Sequence, residues 1–152
     1  MGDVVIVDSV RTGLAKAFRG SFNMTRSDDM LAHCIDSLLD RNGQVAADEV
    51  EDVVVGAASH AGEQDGNIAR LAVVLSKLPV TAAGVTINRF CSSGLQSIAI
   101  AANQIATGQT QVAIAGGVDS ISMRTRQEPG KAKQNQRLMD EKPDIFMAMG
   151  NT

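Results

Sequence analysis

The stretch that decides the fold reads Val85-Thr86-Ile87-Asn88-Arg89-Phe90-Cys91-Ser92-Ser93-Gly94-Leu95-Gln96. It opens with a β-branched run, which is typical of a strand. After Gly94 the apolar residues recur at helical spacing as far as Gly108, a residue that commonly ends helices. The sequence therefore predicts that a strand turns sharply into a helix and that Cys91 lies in the first turn of that helix.

Cys91 is the residue of this stretch best suited to covalent chemistry. Unpaired N–H groups and the helix dipole favour negative charge at a helix N-terminus, and the thiolate is the nucleophilic form of cysteine. In such settings the pKa of a cysteine falls from about 8.5 to between about 3.5 and 7.5. A small buried hydrophobe at a helix start is the alternative interpretation, and local physics alone favours it.

The rest of the chain alternates short apolar runs with amphipathic stretches. Residues 4–7, 53–55 and 112–115 are continuous apolar runs, which indicate strands buried on both faces of a parallel sheet. With the strand before Cys91 they predict the order βαβαβαβ. Right-handed crossovers then give an α/β fold with a mostly parallel sheet and helices on both faces.

Several side chains have a structural interpretation. Ser27 and Asn67 are predicted to cap the first two helices, and Cys34 lies in the apolar stripe of the first. Arg70 sits on a helix that is apolar nearly all round, so its guanidinium needs a partner carboxylate or an interface, and we expect a structural ion pair. His60, in the preceding loop, is interpreted as structural too.

Composition restricts the class of protein. The 152 residues are 44 % hydrophobic and 20 % charged, which indicates one globular domain with a core. A net charge of −3 gives no basic footprint for nucleic acid, and no apolar run reaches the roughly 20 residues of a membrane span. Two cysteines and the absence of a leader predict a soluble cytoplasmic chain. No Cys/His spacing suits zinc, so we expect no metal.

Residues 88–96 closely resemble the active-site segment of the thiolases, enzymes that make and cleave 3-ketoacyl-CoA thioesters. Four further segments match the family in the right order, namely residues 4–20, 56–70, 116–123 and 147–152. Residues 147–152 look like the beginning of the family's Met-Gly-x-Thr-Ala-Glu motif. The resemblance therefore spans almost the whole chain.

The resemblance implies a domain division and a chemistry. Residues 1–122 would be the first α/β half of the thiolase fold, and residues 123–152 the start of an inserted loop domain. Cys91 would attack an acyl carbonyl and carry the acyl group as a thioester, while Met149 would line the acyl pocket. Acyl-CoA and acetyl-CoA would be the substrates, with no separate cofactor, and the protein would be a homodimer or tetramer.

The resemblance also shows what this sequence lacks. In thiolases the base and the acid are a histidine and a second cysteine in the second half of a chain more than twice this long. Neither His33 nor His60 has the family's Gly-His-Pro setting, and Cys34 is not in its Cys-x-Gly motif. The fifth strand of the sheet is absent as well. We therefore expect an incomplete N-terminal half that does not turn over alone and that pairs through exposed apolar surface with itself or another chain.

Three alternatives remain open at this point. Ala148 stands where biosynthetic acetoacetyl-CoA thiolases usually have histidine, which favours a broader 3-ketoacyl-CoA thiolase over that relative. Decarboxylating ketoacyl synthases share the fold, but their nucleophile segment reads differently. A non-catalytic structural subunit with a vestigial Cys91 is the third.

The basic stretch over residues 124–142 is interpreted as a solvated loop rather than a phosphate contact.

Overall fold

One parallel sheet organises the protein, seen in a computed structural model that describes residues 3–123 and 135–151. The strands are β1 (Asp52–Gly56), β2 (Ala83–Ile87) and β3 (Ala113–Gly117), in the order β2-β1-β3. Central Val54 is in register with Val85 on one side and Ala115 on the other. The predicted α/β class and parallel sheet are confirmed.

Helices separate the strands, as parallel connections require. They are α1 (Ser27–Arg41), α2 (Ile68–Leu75), α3 (Ser93–Ala106) and, beyond the sheet, α4 (Gln136–Glu141). Short 3₁₀ turns lie between them at Ala47–Glu49, Gly62–Gln64, Phe90–Ser92, Pro143–Phe146 and Met149–Asn151. None of the helices in the described ranges combines the length and apolar character that crossing a membrane would need.

The two faces of β1 carry different helices because successive side chains of a strand point in opposite directions. Val53 and Val55 belong to a buried cluster with apolar residues of α1 and α2, among them Ile35 and Ile68. On the opposite face Gly56 abuts the first turn of α3. Helices therefore cover both faces of the sheet, as the sequence predicts.

The predicted strand over residues 4–7 is wrong. This segment lies outside the sheet, and Val5, Ile6 and Val7 are each 68 to 78 % exposed. The loop that follows it, residues 10–17, faces α1 and residues 115–122 across a cavity of about 420 Å³. An apolar run becomes a buried strand only beside a hydrogen-bonding neighbour, and no described strand pairs with this one.

Asp8 ties this exposed segment to the end of α1. Its carboxylate accepts hydrogen bonds from Asn42 Nδ2 at 2.9 Å and Arg41 Nη2 at 2.8 Å. The Asn42 bond, followed by the Ser9 N–H and the Arg41 charge, lowers the pKa of Asp8 below its ordinary 3.8. A carboxyl with a lowered folded-state pKa stabilises the fold above its unfolded value, and the contribution disappears as pH falls through the folded value.

We predict that Asp8 titrates below pH 3.8 and that Asn42→Ala moves its midpoint back toward that value, because the largest cause of the shift is then gone. Carbon-13 NMR titration of the Asp8 carboxyl measures both midpoints. A wild-type midpoint at or above 3.8, or no change in Asn42→Ala, would contradict the assignment.

Local predictions at the helix ends are mixed. Asn67 caps α2, where its side-chain oxygen accepts from Arg70 N at 3.2 Å. Ser27 does not cap α1; it is the first helical residue, and its hydroxyl donates to buried Glu63 at 3.1 Å. Cys34 is only half-buried, since it lines the cavity beside α1.

Two further expectations need correction. Arg70 forms no ion pair with a described residue; its guanidinium donates instead to the carbonyls of Ala82 at 2.7 Å and Val80 at 2.9 Å. Of the loop predicted over residues 124–142, the part from 124 to 134 lies outside the described residues. Its end is the exposed helix α4, which an Arg137–Glu141 pair at 2.8 Å supports.

Candidate active site

The corner between β2 and α3 carries Cys91. Strand β2 ends at Ile87, and Cys91 lies in the 3₁₀ turn Phe90–Ser92, which continues directly into α3 at Ser93. The predicted strand-to-helix turn is confirmed, with Cys91 in a 3₁₀ turn just ahead of the α-helix rather than inside it. Its side chain is exposed, so the interpretation as a buried hydrophobe does not describe it.

Phe90 gives this corner its shape. Its φ is +47°, a conformation that bulky side chains rarely adopt and that costs of the order of 1–3 kcal/mol. Hydrogen bonds hold it on both sides. Asn88 Oδ1 accepts from Phe90 N at 2.8 Å, and the buried Ser93 hydroxyl accepts from Arg89 N at 2.8 Å while donating to Phe90 O at 2.6 Å. The strained turn is therefore fixed by polar contacts around the nucleophile candidate.

Glycines let the first turn of α3 rest directly on the strand ends. A Cβ on Gly56 would lie 2.2 Å from the carbonyl carbon of Ser93, and one on Gly117 would lie 3.1 Å from Gly94 Cα. The hydroxyl of Ser97, one turn further along, donates to the carbonyl of Gly116 at 2.7 Å. Backbone contacts thus set the position of Cys91 relative to the carboxyl edge of the sheet, where ligands bind in open α/β folds.

A second set of contacts joins the loops that follow β1 and β3. Gln64 is fully buried; its Oε1 accepts from Ser120 N at 2.6 Å, and its Nε2 donates to Ser59 O at 2.9 Å and Asp119 Oδ1 at 3.0 Å. Asp119 also accepts from Ala58 N at 2.9 Å. Loops from different strands are therefore held together beside the Cys91 corner.

Sequence reasoning missed the importance of these polar side chains. Asn88 and Asp119 belong to segments that resemble the thiolases, but no role of their own was predicted for them, and none was predicted for Gln64. Asn88 is the first residue after the carboxyl end of β2 and Asp119 the second after that of β3, and such positions are where site residues concentrate in parallel sheets. That placement was the available signal.

The other candidate residues belong to different elements of the fold. His60 Nε2 is 3.1 Å from the carbonyl oxygen of Ala57, consistent with a structural role. Met149 lies in the last 3₁₀ turn and is 80 % exposed; its predicted place in an acyl pocket stays a prediction. Neither Cys91 nor Met149 lines the cavity beside α1. Across residues 3–123 and 135–151, no group of three or more His, Cys, Asp or Glu side chains could hold a metal.

Comparison with known proteins adds a family to this geometry. The model of the thiolase N-terminal domain matches residues 4–150. A 3-ketoacyl-CoA thiolase of Bacillus subtilis is 40 % identical over 152 residues, which is all of this chain and 38 % of that protein. A β-ketoadipyl-CoA thiolase of Pseudomonas putida is 41 % identical over 144 residues, 92 % of this chain and 36 % of its own length.

A 3-oxoadipyl-CoA/3-oxo-5,6-dehydrosuberyl-CoA thiolase of Escherichia coli is 40 % identical over 122 residues, 80 % of this chain and 30 % of that protein. The chain thus spans between 30 and 38 % of the length of these three curated relatives. The match to the thiolase N-terminal domain begins in the exposed N-terminal segment and runs through the sheet and the Cys91 corner into the last 3₁₀ turn. The chain belongs to the thiolase family, as an N-terminal portion of the thiolase fold.

Proposed function

We propose that this chain carries the nucleophile of an acyl-CoA C-acyltransferase of the 3-ketoacyl-CoA thiolase type. The observation that supports it best is the exposure of Cys91 on a strained turn at the mouth of α3. Strain held in place by surrounding contacts is concentrated at functional sites. Relatives named 3-ketoacyl-CoA and β-ketoadipyl-CoA thiolase, at about 40 % identity, support the same reaction class.

In the proposed reaction the Cys91 thiolate attacks the carbonyl carbon of an acyl-CoA. The tetrahedral oxyanion collapses with expulsion of the CoA thiolate, which leaves the acyl group as a thioester on Cys91. Backbone N–H groups, that of Cys91 among them, would stabilise the oxyanion. The α-carbanion of acetyl-CoA then attacks this thioester and displaces the Cys91 thiolate, which gives 3-ketoacyl-CoA. In the degradative direction the Cys91 thiolate attacks the 3-keto carbon of 3-ketoacyl-CoA, the bond between the α and β carbons breaks, and acetyl-CoA leaves as its α-carbanion, which takes up a proton. Free CoA thiolate then displaces Cys91 from the acyl group and leaves as acyl-CoA. CoA thioesters are substrates here, and no separate cofactor is needed.

The proton transfers of this scheme require groups beyond those at the corner. The contact of His60 with the Ala57 carbonyl assigns it to the loop rather than to Cys91. We therefore place the base and the acid in the remainder of a thiolase fold, which would complete the site. Residues 1–122 would form the first α/β half and residues 123–152 the start of the loop domain, with Met149 against the acyl chain.

Exposed apolar side chains beside the corner support such a partner. Phe90, Leu95 and Ile98 of the turn and of α3 are exposed, and so is Val85 of β2. Large apolar side chains exposed near one corner of the fold favour contact with another protein surface. We propose that the remaining half of the fold covers it in a homodimer or tetramer, and that the chain alone does not turn over.

Alkylation tests the proposed nucleophile directly on this chain. We predict that iodoacetamide modifies Cys91 about tenfold faster than Cys34 at neutral pH, and several times faster than it modifies either cysteine in the urea-unfolded chain. Peptide mass spectrometry gives both rates from one sample. The unfolded chain is the reference because exposure alone would make the folded Cys91 only as fast as an unfolded cysteine.

Variants separate the two thiols. Cys91→Ser should remove the fast phase and the thioester formed on incubation with acetyl-CoA, whereas Cys34→Ser should retain both. Equal, slow modification of the two cysteines in the folded chain would favour the non-catalytic subunit. Steady thiolysis by the chain alone would overturn the proposal that its base lies elsewhere.

A further inference from the structure

We infer that Asn88 is a positioning residue for Cys91 and that Asp119 acts on Cys91 through it. The inference rests on the proposed role of Cys91 as nucleophile and deepens it. It is carried by a continuous series of hydrogen bonds that connects the loop after β3, the loop after β1 and the strained turn after β2. No side chain in this series touches the reacting atoms, so its effect is one of geometry.

The series starts at Asp119 and ends one residue before the nucleophile. Asp119 Oδ1 accepts from Ser59 N at 3.2 Å. The carbonyl of Ala58 accepts from Asn88 Nδ2 at 3.1 Å. Asn88 Oδ1 accepts from Phe90 N at 2.8 Å. Every link is a donor–acceptor pair within ordinary hydrogen-bond range.

One peptide group transmits the orientation between Asp119 and Asn88. The Ser59 N–H and the Ala58 carbonyl belong to the same planar amide, so fixing one end fixes the direction of the other. A carboxylate that accepts the N–H also polarises the carbonyl and makes it a stronger acceptor. Asp119 therefore fixes the direction of the Ala58 carbonyl, which is the acceptor that orients the Asn88 amide.

Asn88 is suited to this role because its amide has a donor and an acceptor a fixed distance apart. Its oxygen satisfies the N–H of Phe90, whose φ of +47° has to be held against relaxation. Ser93 holds the same turn from the buried side, whereas Asn88 and Asp119 are exposed. Losing Asn88 should therefore release the outer side of the turn and leave the folded core intact.

The experiment is a double-mutant cycle read out at Cys91. Asn88→Ala, Asp119→Ala and the double variant are treated with iodoacetamide, from which the Cys91 thiolate displaces iodide. We expect each single variant to slow modification about three- to tenfold, the size of one hydrogen bond. If both residues act through one series, the double variant should be no slower than Asn88→Ala, rather than slowed by the product of the two effects.

Matched variants and an internal reference guard the interpretation. Asn103→Ala on α3 and Asp48→Ala in the first 3₁₀ turn remove the same side-chain types at exposed positions and should leave the Cys91 rate unchanged. Asp119→Asn retains one acceptor oxygen and should fall between wild type and Asp119→Ala. The rate at Cys34, measured in the same molecule, should stay constant in Asn88→Ala, because a variant that loosened the fold would raise it. Asp119 lines the same cavity as Cys34, so this reference is read from the Asn88 variant alone.

The outcomes distinguish this inference from the proposed function. If Cys91 in the wild-type chain reacts no faster than in the unfolded chain, the proposed function fails. If the wild type is fast but Asn88→Ala stays within about twofold of it, or if the two single effects multiply, the positioning role is wrong and the function stands. A rise in the Cys34 rate of Asn88→Ala together with a fall in its Cys91 rate would also overturn the inference, since it would show that the variant disrupts the fold rather than the turn alone.

Discussion

Replacing Gly56 with alanine is expected to displace the first turn of α3 and to destabilise the protein by about 3 kcal/mol or more, at or beyond the upper end of ordinary overpacking. The added Cβ would lie 2.2 Å from the carbonyl carbon of Ser93 and 2.6 Å from Gly94 N. Both are backbone atoms, so no side-chain rotation relieves the clash. Urea unfolding followed by circular dichroism measures the loss as a lower midpoint.

Gly116→Ala is the matched control for this variant. Gly116 also lies near the carboxyl end of a strand, but a Cβ there would meet no heavy atom within 4 Å. We expect a change within about 1 kcal/mol in either direction, because only the entropy of the unfolded chain and local fit are altered. Equal losses in the two variants would show that close approach to α3 is not what requires glycine at position 56.

Replacing Gln64 with leucine should give the other large loss, about 2–4 kcal/mol, from the buried polar groups left unpaired. The variant nearly keeps the side-chain volume but removes three hydrogen bonds, to Ser120 N, Ser59 O and Asp119 Oδ1. Ser120 is itself buried, so its N–H would have no solvent to replace the lost acceptor. Urea unfolding and the hydrogen-exchange rate of the Ser120 amide both report the effect.

Gln44→Leu provides the comparison at an exposed position. Its effect should stay within about 0.5 kcal/mol, as for most surface substitutions. Unchanged exchange at the Ser120 amide in Gln64→Leu would contradict the assigned contact. A loss of stability in that variant no larger than in Gln44→Leu would show that the buried network does not stabilise the fold.

The parts of the fold that were predictable from sequence depend on short-range pattern. Apolar or β-branched runs marked β1, β2 and β3 to within two residues, and the strand-to-helix corner at Cys91 followed from adjacent segments of different periodicity. The cap at Asn67 was visible for the same reason, because its partner Arg70 N lies three residues away.

What could not be predicted depends on residues that are distant in sequence. The run over residues 4–7 has the composition of a buried strand, yet strand formation requires a neighbour that pattern alone does not supply. The Arg70 guanidinium donates to backbone carbonyls 10 and 12 residues further along the chain rather than to a carboxylate. The bond between Gln64 and Asp119 joins residues 55 positions apart, which single-sequence periodicity cannot reveal.

The backbone contacts at Gly56, Gly94 and Gly117 bear on which positions near the corner tolerate substitution in evolution. Close backbone approach at positions 56 and 117 excludes larger residues, and the side chains of Ser93 and Ser97 hold the same turn by hydrogen bonds. Sequence change should therefore concentrate at exposed positions outside this set, such as Leu95. A scaffold of this kind separates the residues that fix the geometry of the turn from those that are free to vary.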